Sequence, residues 1–160
     1  MIRRLVLLCA LGLVIAFSVR LYGDTRYALR AAEPVAATLG GEEPLSGAIV
    51  FVFQPEDCFG SGGLLQRWNA LRQKTNVPVL GRVVGRGALS PRQQALFDSL
   101  RVEIPIRGID PLDAGIVAEK LGYRSTPFAV VLDRRGRVAA SFPAGQNVPP
   151  EILERFVRGS

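Results

Sequence analysis

Gly122-Tyr-Arg-Ser-Thr-Pro-Phe-Ala-Val-Val-Leu-Asp-Arg-Arg-Gly-Arg-Val138 is the stretch whose reading decides the fold. Phe128 to Leu132 is an unbroken apolar run, Asp133-Arg-Arg-Gly136 carries turn residues, and Val138-Ala-Ala-Ser-Phe142 resumes an apolar pattern. Two such runs joined by a short turn that contains Gly predict a β-hairpin. Thr126-Pro127 stands directly before it, and Gly122 marks the end of whatever helix precedes.

Upstream, Ala48-Ile-Val-Phe-Val-Phe53 is apolar throughout, the pattern of a strand buried on both faces. Leu64, Leu65, Trp68 and Leu71 then recur at three- and four-residue spacing, which predicts an amphipathic helix ending near Lys74. Val77 to Val84 reads as a second strand. Ser90-Pro91-Arg92-Gln93 combines a capping Ser, Pro at the first helical position and Gln three residues after the cap, opening a helix through Leu100. Val102 to Ile106 reads as a short strand. Asp110-Pro111 repeats the cap-plus-Pro signal ahead of Leu112, Ile116, Val117 and Leu121. After the hairpin, Pro149-Pro150 opens a last helix with Ile152, Leu153, Phe156 and Val157 expected inward. Strands alternating with helices and then an antiparallel hairpin describe an α/β fold: a mixed sheet with helices on both faces.

The order of these elements resembles that of the thioredoxin superfamily. The Thr126-Pro127 segment, the strand after it and the Asp133-x-x-Gly136 turn are similar to the corresponding part of the membrane-anchored thiol–disulfide oxidoreductase branch, the redoxin-like one. The resemblance covers residues from about 44 to 160. It implies that Pro127 is a cis-proline facing a reactive cysteine, and that the backbone of Thr126 pairs with substrate peptide. It also implies that Gln54-Pro-Glu-Asp-Cys-Phe-Gly-Ser61 stands where the family carries Cys-x-x-Cys. Here the pattern is Cys58-Phe59-Gly60-Ser61, with Ser61 in place of the second cysteine and Asp57 where an aromatic residue often stands. The only other cysteine is Cys9, so the domain has one thiol and forms no internal disulfide.

A thiol at a helix N-terminus faces the positive end of the dipole and free backbone N–H groups, which favour thiolate, and Ser61 is placed to donate a hydrogen bond to it. Such a cysteine attacks a disulfide and forms a mixed disulfide, whose release then needs a second thiol from substrate, glutathione or another protein. Isomerisation and thiol exchange fit; autonomous dithiol oxidation or reduction does not. Glu56 and Asp57 oppose thiolate formation. Gly60, Gly62 and Gly63 weaken the first helical turn or form a nest of amides. A competing reading therefore stays open, in which Cys58 is a remnant and the domain binds a partner protein without redox chemistry. A peroxidase of the same fold needs Pro and Thr seven and three residues before its cysteine, and this chain has Phe51 and Pro55 there. Arg124 lacks the peroxidase motif around it.

The N-terminal Met1-Ile-Arg-Arg4 is positive, and Leu5 to Val19 is an uncharged, mostly apolar run of 15 residues. That length suits a signal peptide, and with Leu21, Tyr22 and a snorkelling Arg20 it approaches the lower limit for a span. Ser18-Val19-Arg20 fits a cleavage site poorly, which favours an uncleaved hydrophobic helix, and Arg3 and Arg4 keep the N-terminus cytoplasmic. The expected organisation is an anchor or signal segment over residues 1–23, a linker over 24–43 and the thioredoxin-like domain over 44–160. The protein would then be single-pass in the cell membrane through residues 5–22, its domain on the periplasmic or extracytoplasmic side, its partners the thiols or disulfides of proteins there.

With 20 basic and 14 acidic residues the net charge is +6, yet the basic residues alternate with acids and apolar residues along the chain. No concentrated basic patch points to nucleic acid, and anionic lipid headgroups are the better use of the excess. The chain has no His, which removes the commonest metal ligand and general base, so neither a metal nor a cofactor is expected.

Overall fold

The computed structural model describes residues 11–15, 18, 31, 33–41, 45–60, 63–85 and 90–159. The chain divides into two units, Met1–Glu33 and Pro34–Ser160. In the first, residues 11–15 are helical with Leu11, Leu13, Val14 and Ile15 exposed. Among the described residues no helix is long and apolar enough to cross a membrane, and most of the 5–22 segment lies outside them.

The second unit is built on five strands: β1 (Ala48–Phe53), β2 (Val79–Val84), β3 (Ile106–Ile109), β4 (Phe128–Leu132) and β5 (Val138–Pro143). Their order in the sheet is β3-β2-β1-β4-β5. β1 runs parallel to β2 and antiparallel to β4, and β3 is parallel to β2 while β5 is antiparallel to β4. Among the described residues of this unit six helices accompany them: α1 (Val35–Gly40), α2 (Pro55–Gly60), α3 (Leu64–Lys74), α4 (Pro91–Ser99), α5 (Pro111–Lys120) and α6 (Pro150–Arg158). This is the mixed, helix-covered sheet that the sequence predicts.

Every residue of β1 is buried because the strand is central and covered on both faces. Ile49, Phe51 and Phe53 point into the layer that holds Trp68 of α3, Phe97 of α4 and Leu153 of α6. Val50 and Val52 point to the other layer, with Leu39 of α1 and Val117 of α5. Each fully buried large side chain contributes roughly 1.5–3 kcal/mol, so the alternation along this one strand supports both cores. Trp68 stacks on Phe51 at 4.0 Å between ring centroids and meets Phe53 at 5.3 Å.

Asp133 builds the hairpin turn. Its Oδ1 accepts from the backbone N–H groups of Arg135 (2.8 Å) and Arg137 (2.9 Å), while Oδ2 pairs with the Arg137 guanidinium. Gly136 takes a φ of +73° there, a conformation that a Cβ would strain. The backbone N–H of Arg137, more than any other partner, holds the Asp133 carboxyl below the usual carboxylate range against the opposing effect of burial.

Four sequence expectations change. The end of the expected linker is part of the fold: α1 lies within residues 24–43, and Ala36 and Leu39 are buried in the core. Too short to be stable alone, α1 is held by packing and by the buried Arg82 of β2, whose Nε donates to the Leu39 carbonyl at 2.6 Å. The third strand is Ile106–Ile109 instead of 102–106. Residues 101–103 spend their hydrogen bonds elsewhere, because the Asn69 amide donates to the Arg101 carbonyl (2.8 Å) and accepts from the Glu103 N–H (3.0 Å). The second strand starts at Val79, after Pro78. In α6 only Leu153 and Val157 are buried, while Ile152 and Phe156 are 39% and 38% exposed. Leu153 and Val157 form one i, i+4 row facing the core, and Ile152 and Phe156, one residue earlier, form the neighbouring row at the border of that face.

Candidate functional site

The C-terminal ends of β1, β2 and β3 and the N-terminal end of β4 meet at one end of the sheet, because β4 runs against those three strands. At β1 the parallel and antiparallel halves join. The crevice outside the carboxyl ends of the strands, where the winding changes, is where open α/β sheets place their ligands.

Two segments emerge there side by side. Val52 and Phe128 are cross-strand partners, so the chain leaving β1 through Gln54 and the chain entering β4 through Thr126-Pro127 lie at the same end. The Thr126–Pro127 peptide bond is cis, as the resemblance implies. The loop is fixed on both flanks: the Pro127 carbonyl accepts from Ala144 N–H at 3.2 Å, and Tyr123 stacks on Phe128 at 4.9 Å with the rings 3° apart. Thr126 and Pro127 themselves are half-buried, with surface left for a partner.

Cys58 falls in α2, the fourth residue of a six-residue helix that follows β1. The long helix α3 starts only at Leu64, with Gly63 as its N-cap and no side-chain cap. Cys58 thus lies within a six-residue helix that precedes α3, after the first three residues of that helix. Gly63 precedes Leu64 as the N-cap of α3, and glycine weakens helix propagation by about 1 kcal/mol relative to Ala. Ser61 lies outside the described residues, and Cys58 is placed here by its backbone.

Asp57 has a role that the sequence did not announce. Its Oδ2 accepts from the Gln54 N–H at 2.7 Å, so the third residue of α2 reaches back to the residue before the helix. That is one half of a capping box, and it anchors the start of the cysteine-bearing turn. The signal was present as an acid three residues after Gln54, but Gln is a poor capping residue and hid it.

Arg82 was also missed. It is 4% exposed, hydrogen-bonds the carbonyls of Leu39 and Gly81, and makes no ion pair among the described residues. Burial, and then the charge of Arg107 beside it on β3, lowers its pKa from the ordinary arginine value. Its position at the C-terminal end of α1 explains it, since a cation there meets unsatisfied carbonyls and the negative end of the helix.

The fold is thioredoxin-like. No protein-family model matches the chain, and no curated protein matches it either. Solved structures do. A thiol:disulfide interchange protein of the thioredoxin family from Chlorobium tepidum TLS is 13% identical, with 71% of this chain and 79% of that one covered and a TM-score of 0.46. A thiol-disulfide isomerase from Corynebacterium glutamicum is 18% identical over 72% of this chain and 84% of that one, with a TM-score of 0.45. The N-terminal domain of PilB from Neisseria gonorrhoeae is 12% identical over 71% and 78%, at 0.41.

Proposed function

We propose that this protein carries out thiol–disulfide exchange on extracytoplasmic proteins through the single cysteine Cys58, tethered to the membrane by residues 5–22. The observation that carries the reading is the Val52–Phe128 register, which brings the chain leaving β1 toward Cys58 and the Thr126-Pro127 loop entering β4 to the same end of the sheet. In the proposed reaction the Cys58 thiolate attacks one sulfur of a substrate disulfide. The substrate S–S bond breaks, a mixed disulfide forms, and the other substrate sulfur leaves as thiolate. A second thiol, from the substrate or from glutathione, then attacks the mixed disulfide and returns Cys58 as thiolate, with no net oxidation. Thr126 and Pro127 would hold the substrate backbone, and Ser61 would donate to the thiolate.

One observation favours a second reading. Cys58 lies inside a six-residue helix and not at the first turn of a long one, which deprives it of much of the dipole that lowers a thiol pKa. On that reading the domain is a binding module that docks a protein partner at the Thr126-Pro127 loop.

The pH dependence of iodoacetamide alkylation, measured in a Cys9→Ser background where Cys58 is the only thiol, separates the two. The exchange reading expects an inflection well below the free-thiol value of about 8.5 and a mixed disulfide with glutathione. An inflection at or above that value, or a thiol that reacts only on unfolding, would leave the binding module.

A further inference from the structure

A cleft of about 400 Å³ lies between α3 and the segment that joins β5 to α6. It is on the face of the sheet covered by α3, α4 and α6, and its lining includes neither Thr126 nor Pro127. Leu71, Val148 and Pro150 give it a half-buried apolar lining above the buried Phe51, Trp68, Phe142 and Leu153, and Arg67 and Lys74 stand at its mouth. The volume is within the range of small-molecule sites, roughly 300–1,000 Å³.

The charges identify the occupant. Arg67 and Lys74 are seven residues apart on α3, two helical turns, and so share the face that borders the cleft. Both are exposed, and neither makes an ion pair or side-chain hydrogen bond among the described residues. The described lining contains no Asp or Glu. Lys74 has an ordinary reason for its place, since a cation in the last turn of a helix meets the negative end of the dipole. Arg67 has none, because it sits near the positive end of the same helix. Two cations over an apolar floor, with no acid between them, complement a molecule with an apolar body and one negative head.

We propose that this cleft binds a small amphipathic monocarboxylate, its aromatic or short acyl body against Leu71, Val148 and Pro150, above Trp68, and its carboxylate at Arg67 and Lys74. The site is separate from the Cys58 chemistry and stands without it. Trp68 is the only tryptophan of the chain, and its Nε1 donates to the Ala144 carbonyl at the rim through a long 3.4 Å bond. A ligand that seats there alters the surroundings of that one fluorophore.

The test is a titration of the full-length protein with 4-phenylbutyrate, read by Trp68 fluorescence, beside the uncharged 4-phenylbutanol. Phenylbutyrate is expected to give a saturable change. The double variant Arg67→Gln/Lys74→Gln should weaken it about five- to tenfold while leaving phenylbutanol unaffected. Both side chains are exposed, so the variant keeps the wild-type urea midpoint. Absence of a saturable change at millimolar phenylbutyrate would overturn the proposal. So would equal affinity of variant and wild type, or equal affinity for the acid and the alcohol.

Discussion

Replacing Leu39 by Ala tests whether α1 belongs to the folded unit. Leu39 is 1% exposed and packs in the layer that contains Val50, Val52, Val117 and Val130. Truncation there removes the transfer free energy of the lost carbons and leaves a cavity lined by strands that cannot close on it, since β1 and β4 are locked in register. Such substitutions cost about 2–5 kcal/mol, and a mid-range value of about 3 kcal/mol is expected here. With a urea m-value of roughly 1.5 kcal/mol/M, the unfolding midpoint should fall by about 2 M. Equilibrium urea unfolding followed by Trp68 fluorescence is a suitable assay, because Trp68 lies in the opposite core layer and reports global unfolding rather than the local change. A midpoint shift below about 0.3 M, the size of a surface effect, would show that residues 34–41 act as a tether and would refute the packing argument. A normal shift with a reduced m-value would instead mean that α1 detaches before the rest.

Two further outcomes follow from the same packing. A Cβ on Gly81 would lie 2.9 Å from Ile106 Cγ1 and 3.3 Å from Phe53 Cε1, so Gly81→Ala should destabilise by about 1–3 kcal/mol. Adding Ile106→Ala should recover part of the Gly81→Ala loss relative to Ile106→Ala alone, and a neutral Gly81→Ala would contradict the contact. The Asp133 carboxyl is held below its usual range in the folded state, so its contribution is complete above the unfolded value of about 3.9 and is lost as pH falls through the folded value. Asp133→Asn should therefore lower Tm at neutral pH and flatten the acid limb of a Tm-against-pH curve; an acid limb identical to wild type would count against it.

Much of the fold was legible because it depends on local periodicity. The unbroken apolar runs 48–53 and 128–132, short and rich in β-branched and aromatic residues, form buried strands as they read, and the Asp110-Pro111 cap does what its residues predict, with Asp110 Oδ1 accepting from Leu112 N–H at 2.9 Å. The Asp133-x-x-Gly136 turn is equally local, since one carboxylate and one glycine satisfy it. At the site, the position of Cys58 after β1 and of Thr126-Pro127 before β4 could be read from order alone.

What the chain order could not show depends on partners far away in sequence. Residues 35–40 are too short a run to show a helical period, and they are held as a helix by packing on the core and by Arg82, 43 residues from the carbonyl it binds. The third strand moved because Asn69 claims the backbone of Arg101 and Glu103 across 32 and 34 residues. The register Val52 to Phe128 joins the cysteine segment to the cis-proline loop, and the cleft beside Trp68 exists only where α3 and α6 leave space above β1. Periodicity and capping act within a few residues and are written in the sequence. Pairing, burial of a cation and the empty volume between helices are properties of surfaces that meet only after folding.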